Sequence, residues 1–196
     1  MAKLIGLTGG IGSGKTTIAN FFKSQCVPLY IADDEAKAIL FTPTAIEEVR
    51  NAFGEDIITN GLPDKTKLAS LVFSNPDKLQ MLNEIIHPKV RAHFKEWMER
   101  HKDEKFVIRE AAILFESGNY KDCDKIILVT APLEERIKRV MDRDNTTREK
   151  VLERINAQWN DEKKAVLSNY IINNIEIEEA KSQAMEILKI LNKMEK

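Results

Sequence analysis

Cysteine is scarce in this 196-residue chain. Only Cys26 and Cys123 occur, far apart, which supplies neither a zinc-ligand spacing nor a disulfide framework. Long apolar runs are missing too. None approaches the roughly 18 residues of a membrane span, and the stretch from Met1 to Leu7 meets Thr8 and a glycine cluster too early for a signal-peptide core. Neither sign of charge dominates, because 30 Lys and Arg stand against 31 Asp and Glu for a net charge of −1. That balance argues against the global basic excess of a typical nucleic-acid binder. No repeat, linker or low-complexity tract interrupts the chain. The expectation is a cytoplasmic protein with no membrane or nucleic-acid partner. An apolar fraction of 43% beside 31% charged residues is enough to bury a core. The length suits one domain with a small insertion and leaves no room for a second catalytic domain.

What is present alternates between strand and helix patterns. Apolar runs at Lys3 to Thr8, Val27 to Ile31, Phe106 to Ile108, Ile126 to Val129 and Tyr170 to Ile172 have strand length. Helical spacing fills the gaps, first in Lys15 to Gln25 and last in Glu176 to Lys193. Asn75-Pro76 offers an N-cap with proline at the first helical position. Thr146 with Glu149 reads as a capping box, and Pro132 opens a helix running to about Asp142. Short, fully apolar strands between helices predict an α/β fold with a parallel sheet of about five strands, covered on both faces. Residues of about 35–104 contain no convincing strand beyond a short one near Ile57-Ile58. They read as a helical insertion on a core made of 1–34 and 105–196.

The sharpest signal is Gly9-Gly10-Ile11-Gly12-Ser13-Gly14-Lys15-Thr16, a complete G-x4-G-K-[ST] between an apolar strand and a helix. Glycines let successive backbone N–H groups turn toward phosphate oxygens. Lys15 bridges the terminal phosphates, Thr16 offers its hydroxyl to Mg²⁺, and the helix beginning there adds its positive dipole end. The dinucleotide fingerprint G-x-G-x-x-G fails from both Gly10 and Gly12. This pattern predicts a nucleoside triphosphate site, with ATP and Mg²⁺ as the expected ligands.

A GTPase reading is disfavoured, because no Asp is followed by Gly three positions on. A small-molecule kinase needs an acceptor-activating carboxylate, cations on the transferring phosphoryl group and an acceptor pocket. Asp33 ends the second expected strand, where ligands gather in parallel sheets. It reads as a base or metal-bridging group, or alternatively as a helix N-cap, a role that suits Asp34 better. Arg136, Arg139 and Arg143 share one helical face. Arg139 and Arg143 form a lid over the γ-phosphoryl group, or the three make a solvated basic face.

Together, Leu7 to Thr16, Ala32-Asp33, Ile86-His87-Pro88, Leu114-Phe115-Glu116, Arg139 with Arg143-Asp144, Arg154 with Gln158, and Ile172-Asn173-Asn174 resemble the dephospho-coenzyme A kinases in order and approximate spacing. The resemblance covers nearly the whole chain. It implies a P-loop kinase fold with a helical acceptor-binding insertion and a lid at about 132–150. It also implies ATP-dependent phosphorylation of the ribose 3′-hydroxyl of dephospho-CoA, the final step of coenzyme A synthesis. By the same resemblance Asp33 orients and deprotonates that hydroxyl, with Lys15, Arg139 and Arg143 as catalytic cations. The nucleotide site then comprises Thr8, Gly10, Gly12, Ser13, Gly14, Lys15, Thr16, Thr17 and Asn173, and the acceptor site Asp33, His87 and Glu116. Thr16 is the metal residue. No partner beyond the small-molecule substrate is implied, and a monomer is the simplest state.

Two positions depart from the family pattern. Ile31 stands where an acid is common two residues before Asp33, and Ala112 replaces the proline before Ile113-Leu114-Phe115-Glu116. Read without the resemblance, His87 is a satisfied histidine in a helical core, and Glu116 either lines the acceptor pocket or caps a helix. His93 and His101 lack metal spacing. Trp97 and Trp159 read as packing residues.

Overall fold

The computed structural model describes residues 1–73 and 75–195. Its elements are β1 (Lys3–Gly9), α1 (Lys15–Ser24), β2 (Leu29–Ile31), α2 (Ala32–Ile39), α3 (Pro43–Phe53), β3 (Ile58–Thr59), β4 (Leu62–Pro63), α4 (Lys65–Phe73), α5 (Pro76–Arg100), β5 (Phe106–Glu110), β6 (Lys125–Thr130), α6 (Leu133–Asp144), α7 (Arg148–Asn156), α8 (Asp161–Val166), β7 (Tyr170–Asn173) and α9 (Ile177–Leu191). The chain divides into two compact units, 1–31 with 101–196, and 32–100.

In the first unit five strands form one sheet in the order β2-β5-β1-β6-β7. Every pairing is parallel. The strands are short and nearly continuous runs of Ile, Leu and Val because both faces are covered. Ile5, Leu7, Ile108, Ile127 and Val129 pack with Ile18 and Phe22 of α1 and Ala184 and Leu188 of α9. The carboxyl ends of the strands therefore converge on one edge, where Gly9, Glu110, Thr130 and Asn173 lie. A smaller cluster of Ile137, Val140 and Val151 fastens α6 to α7.

The second unit is built around α5, which packs against α2, α3 and α4. Its core includes Ala45, Val49, Leu68 and Ile86. Asn75 caps α5 as its type and place predict, its Oδ1 accepting from the N–H of Asp77 at 3.0 Å and of Lys78 at 3.2 Å. Ile58 and Thr59 pair antiparallel with Pro63 and Leu62. The two-residue turn between them has Asn60 at φ 53° and Gly61 at φ 77°, the left-handed pair that a tight hairpin needs.

Several boundaries differ from the sequence reading. The second strand begins at Leu29 rather than Val27, and α2 starts at Ala32. Asp33 and Asp34 thus lie inside its first turn, so neither is an N-cap. Asp34 instead pairs with Lys37 at 3.1 Å, and the two acids complement the positive end of the helix dipole. The cap of α7 is Thr147 rather than Thr146.

Candidate active site

The loop between β1 and α1 turns on two left-handed glycines. Gly12 has φ 79° and Gly14 has φ 84°, and Gly14 is also the N-cap of α1. Each is further constrained by a close neighbour. A Cβ on Gly12 would overlap the backbone of Arg136, and one on Gly14 would overlap the side-chain amide of Asn174. The Ser13 N–H closes the loop onto the Gly10 carbonyl at 3.0 Å. The Ser13 side chain is fully buried and packs toward Gly9, its hydroxyl without a hydrogen-bond partner among the described residues. Thr8 is a brace. Its buried hydroxyl donates to the Ala111 carbonyl at 2.9 Å.

Lys15 begins α1, and its ammonium is paired with Glu110 at the carboxyl end of β5. Glu110 is 2% exposed and registers opposite Leu7 of β1. Such a buried charge is tolerated only beside an opposite one. Thr16 and Thr17 follow at the start of α1 with exposed side chains. Among the described residues no cluster of three or more His, Cys, Asp or Glu could hold a metal ion. The exposed Thr16 hydroxyl beside a lysine nevertheless fits Mg²⁺, which is bound by one or two protein oxygens together with substrate phosphates rather than by an all-protein cage.

The three arginines of α6 have three different fates. Arg136 is 6% exposed. Its Nε donates to the Ile11 carbonyl at 2.8 Å, and its guanidinium pairs with Asp161 at 3.0 Å. Arg139 donates to the carbonyls of Asn174 at 3.0 Å and Ile175 at 3.1 Å. Arg143 pairs with Asp144 at 2.7 Å, its side chain 65% exposed. Those bonds, with help from Arg154, hold the Asp144 carboxyl down to about 2 and push Arg143 upward. The expectation of one shared solvated face is therefore corrected for Arg136, which is buried against the loop.

Arg139 also lines a cavity of about 340 Å³ with Gly14, Thr17, Asn174, Ile175 and Glu176. Asn173 is not among the lining residues. Its side chain accepts from the Thr130 hydroxyl at 2.9 Å, so the cavity is built from the residues just after it. Glu116 has two partners within the first unit. Its Oε1 accepts from the Trp159 N–H at 2.8 Å and pairs with the fully buried Lys164 at 3.1 Å. It holds the segment between α7 and α8, where Trp159 stacks on Phe115.

In the second unit Asp33 is exposed in the first turn of α2, two residues beyond the carboxyl end of β2. His87 precedes Pro88 inside α5 and lines a groove of about 470 Å³ with Leu79, Gln80, Asn83, Glu84 and Arg91. The groove removes the reading of His87 as a core histidine.

Glu110, Gln158 and Asn174, which the sequence reading gave no role, touch the loop or its lysine, and Arg136 joins them there rather than on a solvated face. Glu110 carried a legible signal, an acid terminating an apolar buried strand. The other three act on backbone groups more than a hundred positions away, and no spacing rule reaches that far.

No helix among the described residues is long and apolar enough to cross a membrane. The dephospho-CoA kinase family profile matches residues 3–179. A dephospho-CoA kinase of Bacteroides fragilis is 38% identical over 89% of this chain and 85% of that protein. The crystal structure of TT1252 from Thermus thermophilus superposes with a TM-score of 0.87 at 34% identity, covering 96% of this chain and 97% of that one. A dephospho-CoA kinase from Campylobacter jejuni gives 0.76 at 27% identity, covering 98% of each chain. A complete phosphate loop on the edge of a β2-β5-β1-β6-β7 sheet is shared by many kinases, whereas a match running through both units is specific, and by it this chain belongs to the dephospho-CoA kinase family.

Proposed function

We propose that the chain transfers the γ-phosphoryl group of ATP to the ribose 3′-hydroxyl of dephospho-CoA, releasing CoA and ADP in the cytoplasm. The observation that carries this reading is the complete phosphate loop of the first unit, with left-handed Gly12 and Gly14 and Lys15 opening α1, in a chain matched by the family profile over residues 3–179. Asp33 accepts the proton of the attacking hydroxyl, as the positioned carboxylate of a phosphoryl-transfer enzyme does.

Lys15 exchanges its pairing with Glu110 for the β- and γ-phosphate oxygens and stabilises charge developing there. Thr16 is the residue that holds Mg²⁺, which when bound neutralises the phosphates. The cavity beside Gly14 and Thr17 takes the nucleotide, with Arg139 on its wall as a cation for the transferring phosphoryl group. Arg143, exposed near the end of α6, reaches the transferring phosphoryl group as the part of the 132–150 lid beyond Arg136 closes and excludes water. The 32–100 unit binds the acceptor, with His87 and Arg91 along its groove as groups suited to phosphate oxygens.

The test is ADP release with dephospho-CoA, nucleosides and nucleoside monophosphates supplied in turn. Turnover with dephospho-CoA alone is expected. Turnover with a nucleoside monophosphate and none with dephospho-CoA would replace this reading with a nucleotide kinase.

A further inference from the structure

The phosphate loop is gripped from outside at three backbone groups, all within the first unit. The Ile11 N–H donates to Gln158 Oε1 at 3.1 Å. The Ile11 carbonyl accepts from Arg136 at 2.8 Å. The Ser13 carbonyl accepts from the Asn174 side-chain amide at 2.7 Å. Arg136 is in turn anchored by Asp161, three residues after Gln158, and the Asn174 carbonyl by Arg139. In a planar trans peptide the carbonyl of one residue and the N–H of the next point in opposite directions. Drawing the Ile11 carbonyl outward to Arg136 therefore turns the Gly12 N–H toward the inside of the loop. Drawing the Ser13 carbonyl toward Asn174 does the same for Gly14. Both glycines sit at positive φ against those same neighbours, so loop shape and clamp are one arrangement.

We infer that Arg136, Gln158 and Asn174 are positioning residues of the phosphate loop, and that Gln158, between α7 and α8, sets affinity for the polyphosphate part of the nucleotide. The role rests on the triphosphate site proposed above. None of the three side chains needs to touch the phosphates. They fix the direction of the N–H groups that do, so the loop meets an anion already oriented, and the ordering cost of binding falls. Gln158 is the best probe because it is half-buried and carries no charge. Removing it leaves the ion pair of Arg136 with Asp161 intact.

The experiment measures binding of ATP, inorganic tripolyphosphate and AMP to the full chain and to Gln158→Leu, with no acceptor present. Loss of one orienting hydrogen bond is expected to weaken ATP and tripolyphosphate about fivefold and to leave AMP unchanged. Amide exchange at Ile11 should accelerate in the same variant. Asp161→Asn, which loosens Arg136 without touching Gln158, should shift binding in the same direction. An equal loss for all three ligands would mark a general structural defect and overturn the inference, as would unchanged binding. No tripolyphosphate binding by the unaltered chain would overturn the triphosphate reading along with it. Unchanged binding in Gln158→Leu, with normal ADP release from dephospho-CoA, would overturn this inference alone.

Discussion

Replacing Glu116 by Gln tests whether this carboxylate serves the acceptor or the fold. Lys164 is fully buried, and its ammonium lies 3.1 Å from a Glu116 carboxylate whose side chain is 16% exposed. The amide of Gln keeps an acceptor for the Trp159 N–H and removes only the charge. Breaking a buried ion pair from one side costs about 3–5 kcal/mol, since the remaining charge has no partner. The partial exposure of Glu116 points to the lower end, about 3 kcal/mol. For a chain of this size each kcal/mol moves Tm by about 2–4 °C, which predicts a fall of about 6–12 °C in thermal melting. Pairing Glu116→Gln with Lys164→Met removes the stranded charge and should restore most of the loss. The KM for dephospho-CoA, measured well below the melting transition, should stay near that of the unaltered chain. A loss under about 1 kcal/mol, or a double variant no more stable than the single one, would refute the argument that the pair is a buried brace.

Three further outcomes follow from the site. Asp33→Asn should retain ATP binding while kcat with dephospho-CoA drops by about 10²–10⁴-fold, and full activity in a turnover assay would remove Asp33 from the mechanism. Gly12→Ala places a Cβ against the Arg136 backbone at φ 79°, so titration calorimetry should show ATP affinity reduced by roughly tenfold or more, a strain of about 1–3 kcal/mol. Burial pushes the Cys123 thiol up to about 11, which keeps it protonated and poorly nucleophilic at pH 8. Mass spectrometry after brief alkylation should therefore find exposed Cys26 modified first.

The sheet was legible because each strand is a short apolar run bounded by turn or cap residues, as at Lys3–Gly9 and Lys125–Thr130. The β3–β4 hairpin was only half visible. Its two strands are too short for periodicity, although Asn60-Gly61 is a strong turn signal. The loop motif picked out Lys15 and Thr16 by local spacing, and both lie at the start of α1. It could not show that Lys15 pairs with Glu110, since that contact exists only after β5 registers against β1. Helical periodicity placed Arg136, Arg139 and Arg143 on one face, and that geometry holds for the α6 backbone. Their separate roles come from what lies opposite each of them: the Ile11 carbonyl, the 174–175 backbone and the neighbouring Asp144. The Lys164 partner of Glu116 was invisible for the same reason, because it lies far along the chain and a buried lysine leaves no mark in composition.

The most direct test follows the phosphoryl group itself. With ATP labelled in the γ-phosphate and dephospho-CoA as acceptor, the label should appear on the ribose 3′-oxygen of the product in equal amount to the ADP formed. Label recovered as inorganic phosphate, or on any other acceptor oxygen, would contradict the assignment.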